Sequence, residues 1–261
     1  MAPMPAAFIG HGTPMNTLEH NHFTDAWATF GLLSDRPRAV LAISAHWYID
    51  TAAVTSMANP PVIHDFYGFP QQLFDFDYPA PGAPDVAAQV SEIVKPVSVA
   101  LDDRTWGIDH GTWSVLAHVF PAADVPVVQL AIDGTKSLDY HIDLGRRLAP
   151  LLDDGIMIVA SGNVVHNLRL IDWRAAGVGE DWAHRFDDAA REVMTHDPTG
   201  LGAVSGHPDF ARAVPTPDHF LPLAYLAGLA GAANQRAETL VDGYELGSLS
   251  MTAYQLPGAT L

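Results

Sequence analysis

Three short apolar runs in this chain each lead to a histidine. Ala6-Ala7-Phe8-Ile9-Gly10 runs into His11, Val40-Leu41-Ala42-Ile43-Ser44-Ala45 into His46, and Ile156-Met157-Ile158-Val159-Ala160-Ser161 ends just before His166. Each run reads as a buried strand. In an open α/β sheet, the crevice at the carboxyl ends of the strands is where ligands bind. Imidazoles converging there, in a chain with no cysteine, point to a metal site of histidine and oxygen ligands, and so toward an enzyme.

Between these runs the pattern alternates. Strands are predicted at Ala6–Ile9 and Ala39–Ala45, with Ala52–Thr55 as a short antiparallel partner, and a helix around Phe23–Leu33. Residues Pro60–Pro84 form a long irregular stretch rich in Pro, Gly and aromatics, the kind of segment that serves as a lid or binding loop. A helix over Pro84–Ile93 carries Pro in its first turn, where the missing N–H is harmless. A strand at Val97–Leu101, a helix from Thr112 toward Phe120 and a β-run at Val125–Ile132 follow. Ser137–Leu152 reads as an amphipathic helix capped by Ser137. Helices around Trp182–Thr195 and His219–Leu229 and a last strand at Leu249–Leu256 complete the chain. Strands alternating with helices predict an α/β fold: one domain over residues 1–261, with a mainly parallel central sheet flanked by helices and a metal site at the carboxyl ends of its strands.

With 261 residues, 48% of them hydrophobic, one large core suffices. The net charge of −17 argues against nucleic acid as a partner, and the scattered acidic residues read as a solvated surface. No apolar run is long enough to span a membrane, and the start, Met1-Ala2-Pro3-Met4-Pro5, does not read as a signal peptide. Absence of cysteine removes any disulfide framework and fits a cytoplasmic protein.

Most of the thirteen histidines read as ordinary. His20, His22, His141, His184, His196 and His207 fall in polar contexts and are expected in solvent, and His118 as a packed core residue. His11, between Gly10 and Gly12, has little reason to exist as packing; glycine on both sides allows a sharp turn and close approach of a ligand. His46 reads either as a ligand or as a strand-end imidazole satisfied by a carbonyl. His110, in Asp109-His110-Gly111, starts a helix, whose amino terminus disfavours imidazolium. His166 follows a Ser-Gly-Asn turn, and His219, after Asp218, reads equally as an idle residue beside an N-cap.

The ordered set of motifs is specific. It comprises His11-Gly12-Thr13-Pro14, Ser44-Ala45-His46-Trp47, His64-Asp65-Phe66-Tyr67-Gly68-Phe69-Pro70, Asp109-His110-Gly111-Thr112-Trp113, Ser161-Gly162-Asn163-Val164-Val165-His166 and Thr216-Pro217-Asp218-His219-Phe220. Nearly end to end, the chain resembles the class III extradiol ring-cleavage dioxygenases, in the 4,5-DOPA dioxygenase-like branch. That resemblance implies a non-haem metal, iron(II) in the active form with zinc able to occupy the same site. It implies His11, His46 and His219 as metal ligands, with Asp218 the alternative to His219 and His166 a fourth ligand in a zinc-loaded form. His166 and His110 would be the acid–base pair, while His64, Phe66 and Tyr67 would line the pocket of a catechol substrate that is opened with O2 to a muconic semialdehyde. Two other readings are a zinc-dependent hydrolase on the same scaffold, with His166 as base to a metal-bound water, and a non-catalytic metal-binding relative.

Overall fold

The computed structural model describes residues 2–33 and 35–258. The three histidine-bearing runs form adjacent strands of a six-stranded sheet: β1 (Ala6–Gly10), β2 (Ala39–Ser44), β3 (Val127–Gln129), β4 (Ile156–Gly162), β5 (Glu238–Val241) and β6 (Ala253–Leu256). Their order is β3-β2-β4-β1-β6-β5. The first four run parallel, and β6 and β5 add antiparallel at the far edge. Every residue of β1, β2 and β4 is buried, as expected for parallel strands covered on both faces. Register puts Ser44 and Ile9 both beside Ser161, so three strand ends open into one crevice.

Six longer helices flank the sheet: α1 (His22–Gly31), α2 (Pro84–Ile93), α3 (His110–Val119), α4 (Leu138–Leu148), α5 (Asp181–His196) and α6 (Leu221–Ala233). α6 is apolar on nearly every face and lies against α4. The two approach so closely that a Cβ on Gly145 would meet the Tyr225 carbonyl oxygen at 2.3 Å. None of the described helices is long and apolar enough to cross a membrane.

Several sequence expectations change. Ala53–Thr55 pairs parallel with Ala100–Asp102 rather than serving as an antiparallel partner of β2, and the strand expected at Val97–Leu101 lies later, at Ala100–Asp102. The run Val125–Ile132 divides: β3 joins the central sheet, while Ile132–Asp133 pairs with Tyr48–Ile49. The helix after the Ser137 cap ends at Leu148, and Pro150 starts a separate turn, Pro150–Asp153, because a proline lacks the N–H that continuation needs. The tail strand is likewise two pieces, Leu249–Ser250 and β6. The half-exposed edge strand β5 has no apolar run to announce it.

Candidate metal centre

Local geometry explains why the histidines meet. His11 leaves β1 with its N–H donating to the Gly162 carbonyl (3.0 Å), and Gly12 turns the chain away at φ +59°, a conformation glycine adopts without a steric penalty. Ala45 is held to Ser161 (2.9 Å), which fixes the exit of His46 from β2. His110 opens α3, whose N-cap Asp109 accepts from the Thr112 N–H (3.1 Å). The next residue has to be glycine: a Cβ on Gly111 would lie 2.7 Å from the His46 ring. His219 is tied to the end of β4, where its carbonyl accepts from Asn163 N–H (2.9 Å).

The ring centres of His11, His46 and His219 form a nearly equilateral triangle with sides of 5.2, 5.2 and 5.3 Å. Nitrogen–metal bonds of about 2.0–2.1 Å at roughly tetrahedral angles place ring centres about 5.2 Å apart and ligating nitrogens about 3.4 Å apart. The Nε2 atoms of His11 and His46 are in fact 3.3 Å apart. His110 lies on the His46 side, its ring centre 3.8 Å away, and His166 stacks in parallel on His219 at 3.5 Å. Potential ligand atoms fall into two adjacent groups with no residue in common, one of His11, His46 and His110 and another of His166, Asp218 and His219, so the triangle of His11, His46 and His219 draws on both.

Hydrogen bonds assign the tautomers. The Ser161 hydroxyl donates to the Gly111 carbonyl (2.5 Å), so it must accept from His11 Nδ1–H (2.9 Å). His46 Nδ1 donates to one oxygen of Asp65 (3.0 Å), and His219 Nδ1 donates to Asp218. In these neutral tautomers His11 and His46 turn unprotonated Nε2 atoms toward each other, and the Nε2 of His219 is likewise left without a proton. Two lone pairs facing each other across 3.3 Å repel unless a proton or a metal ion sits between them. This donor set fits a divalent metal ion, with each imidazole oriented by a partner at its other nitrogen.

Burial and mutual proximity govern the charges. Burial, then the surrounding imidazoles, pushes His11 well below the ordinary histidine value. Burial and the neighbouring His219 push His166 down to about 2. Burial would raise the Asp65 carboxyl, but hydrogen bonds from His110 and His46 outweigh it and hold the group ionised, well below the usual range. His46, despite burial, is raised by that carboxylate, whereas burial keeps His110 lowered. One negative charge can compensate only one of two imidazoles whose centres are 3.8 Å apart.

The other candidates are placed as follows. Phe66 stands edge-on to His110 at 5.4 Å and contacts Phe69, Phe74 and Trp113. His64 Nε2 is engaged by the Phe76 carbonyl of its own loop (2.9 Å), and Tyr67 is 92% exposed. His118 is half-buried and bonded to the Asn16 carbonyl (2.8 Å). His141, expected in solvent, is fully buried between α4 and α6, with Nδ1 3.0 Å from the Tyr225 hydroxyl. Its spacing of three from both Leu138 and Leu144, on the apolar face of the helix, was the available signal. Asp65 carried no signal beyond its place in a motif.

Comparison with known proteins agrees with this architecture. The chain is 45% identical to a 4,5-DOPA dioxygenase extradiol of Escherichia coli (strain K12), over 97% of this chain and 94% of that one. It is 34% identical to a protein of the same description from Beta vulgaris, over 95% and 94%. A crystal structure of an uncharacterized protein from Escherichia coli K12 superposes with a TM-score of 0.84 at 40% identity, covering 97% of this chain and 99% of the other. A family model described as the catalytic LigB subunit of aromatic ring-opening dioxygenase matches residues 6–257. The chain belongs to that family of ring-opening dioxygenases.

Proposed function

We propose that this extradiol dioxygenase opens a catechol of the DOPA type with O2, yielding a muconic semialdehyde, at one divalent ion held by His11, His46 and His219. The observation that carries this assignment is the 3.3 Å approach of the His11 and His46 Nε2 atoms, with both Nδ1 atoms already committed elsewhere. Asp218 is better placed as the orienting partner of His219 than as a ligand, since it accepts that ring's Nδ1–H. Bound iron(II) would supply a reducing centre with open positions for catechol and dioxygen.

The protein's own groups then handle protons and orientation. His166, stacked beside His219 at the centre, accepts a catechol proton at a ring nitrogen. A fourth-ligand role in a zinc-loaded form would need its ring to leave that stack, since two imidazoles sharing one ion stand about 5.2 Å apart and these rings are 3.5 Å apart. His110, held at Nδ1 by Asp65, transfers a proton at Nε2. Phe66 supplies an apolar wall beside His110; His64 shapes the loop, and Tyr67 is left to solvent. Three neutral imidazoles leave the ion its full charge, which favours binding of a deprotonated catechol. The same ligands also suit zinc, which competes when iron is scarce. Nothing in the relatives favours the hydrolase alternative.

The test is anaerobic loading with Fe(II), then a panel of DOPA, caffeic acid and protocatechuate under air, followed by oxygen uptake and a yellow semialdehyde. Full turnover in iron-free zinc protein overturns the choice of iron. Ester or amide cleavage without oxygen consumption overturns ring opening.

A further inference from the structure

Asp65 touches two of the site imidazoles with one carboxylate. Its Oδ2 lies 3.0 Å from His46 Nδ1, and its Oδ1 lies 2.8 Å from His110 Nδ1 and accepts the His110 backbone N–H at 3.1 Å. We propose that Asp65 is a positioning residue that sets two histidines at once, fixing His46 as an Nε2 metal ligand and His110 as an Nε2 proton-transfer group. The proposal rests on the metal-site reading above.

An ionised carboxylate only accepts hydrogen bonds, so both Nδ1 atoms must carry the proton and both Nε2 atoms are freed for the site. The position of the carboxylate is over-determined by its neighbours. Trp113 Nε1–H, from α3, donates to the Ile63 carbonyl (2.9 Å). His64 is bonded to Phe76, and Phe66 is wedged edge-on against His110. Residues 63–66 are therefore clamped to the same helix that carries His110. The aromatic loop thus does more than wall a pocket: it delivers one charge between a ligand and a proton carrier.

Two effects must then separate. Asp65→Asn keeps the shape but can no longer accept from both rings, since its amide nitrogen only donates. Zinc binding, read by competition with a chromophoric chelator, should weaken about 10–100-fold, as for other partners that orient ligating histidines. With Fe(II) saturating, turnover should still fall at least about ten-fold with little change in KM for the catechol. In a His110→Ala background, Asp65→Asn should weaken zinc binding by the same factor but lower turnover no further. Histidine nitrogen-15 shifts of zinc-loaded wild-type protein, which need no variant to fold, should report Nδ1–H tautomers for His46 and His110.

An Nε2–H tautomer at either ring overturns the proposal. So does unchanged zinc affinity in Asp65→Asn while His46→Ala loses zinc, or an undiminished turnover loss in the His110→Ala background. If His46→Ala itself keeps zinc, the metal-site reading has failed instead.

Discussion

Imidazoles are buried in two regions of this protein, with opposite results. His141 lies between α4 and α6 with a phenol hydroxyl as its Nδ1 partner, and burial lowers it to about 4. His46 lies at the end of the sheet with a carboxylate at the same atom, and is raised instead. Burial by itself keeps a histidine neutral without choosing which nitrogen carries the proton. A carboxylate within hydrogen-bond reach both assigns the proton to one nitrogen and leaves the other available for chemistry. The first histidine belongs to packing, the second to a site.

The strongest way to break this contrast is His46→Ala, which should reduce bound metal to background while the protein still melts cooperatively; metal retained at wild-type level contradicts it. His110→Ala should keep its metal and lose turnover by a factor on the order of 10²–10⁴, measured as oxygen uptake with saturating Fe(II). Unchanged turnover removes His110 from the reaction.

At His141 the effect is on stability. Its folded value of about 4 lies below the unfolded value of 6.5, so the unfolded chain binds more protons between these limits. Stability from the neutral ring is complete above pH 6.5 and declines as pH falls toward 4. His141→Leu should therefore shrink the stability difference between pH 7 and pH 5 by about 1–2 kcal/mol, seen in denaturant melts, with metal content unaltered. An equal acid sensitivity in the variant rejects the assignment. Smallest of all, Tyr67→Ala should change stability by less than about 0.5 kcal/mol and leave turnover unaffected; a marked rise in KM would return Tyr67 to the pocket.

The same contrast explains what was legible in the sequence. Strands β1, β2 and β4 read directly, because strands buried on both faces are unbroken apolar runs, and the histidines beyond them follow from chain order. Whether His219 or Asp218 faces the centre is a question of side-chain direction, invisible in two adjacent letters. The Asp65 contacts join residues 19 and 45 positions apart, a pairing that only the folded loop creates. His141 was misplaced because Asp139, Tyr140 and Asp143 make its neighbourhood look polar, while helical phase turns it inward beside Ile142 and Gly145. The zinc-or-iron preference is absent from the pattern because the same imidazoles serve both.

β1 carries one further consequence. It lies between β4 and β6, so during synthesis this strand waits for partners some 150 and 250 residues later. His11 meets His219 only after the long stretch of chain between them has been made. Such distant closures slow folding, and they also mean that the His11, His46 and His219 triangle closes only when well-separated stretches of the chain have come together.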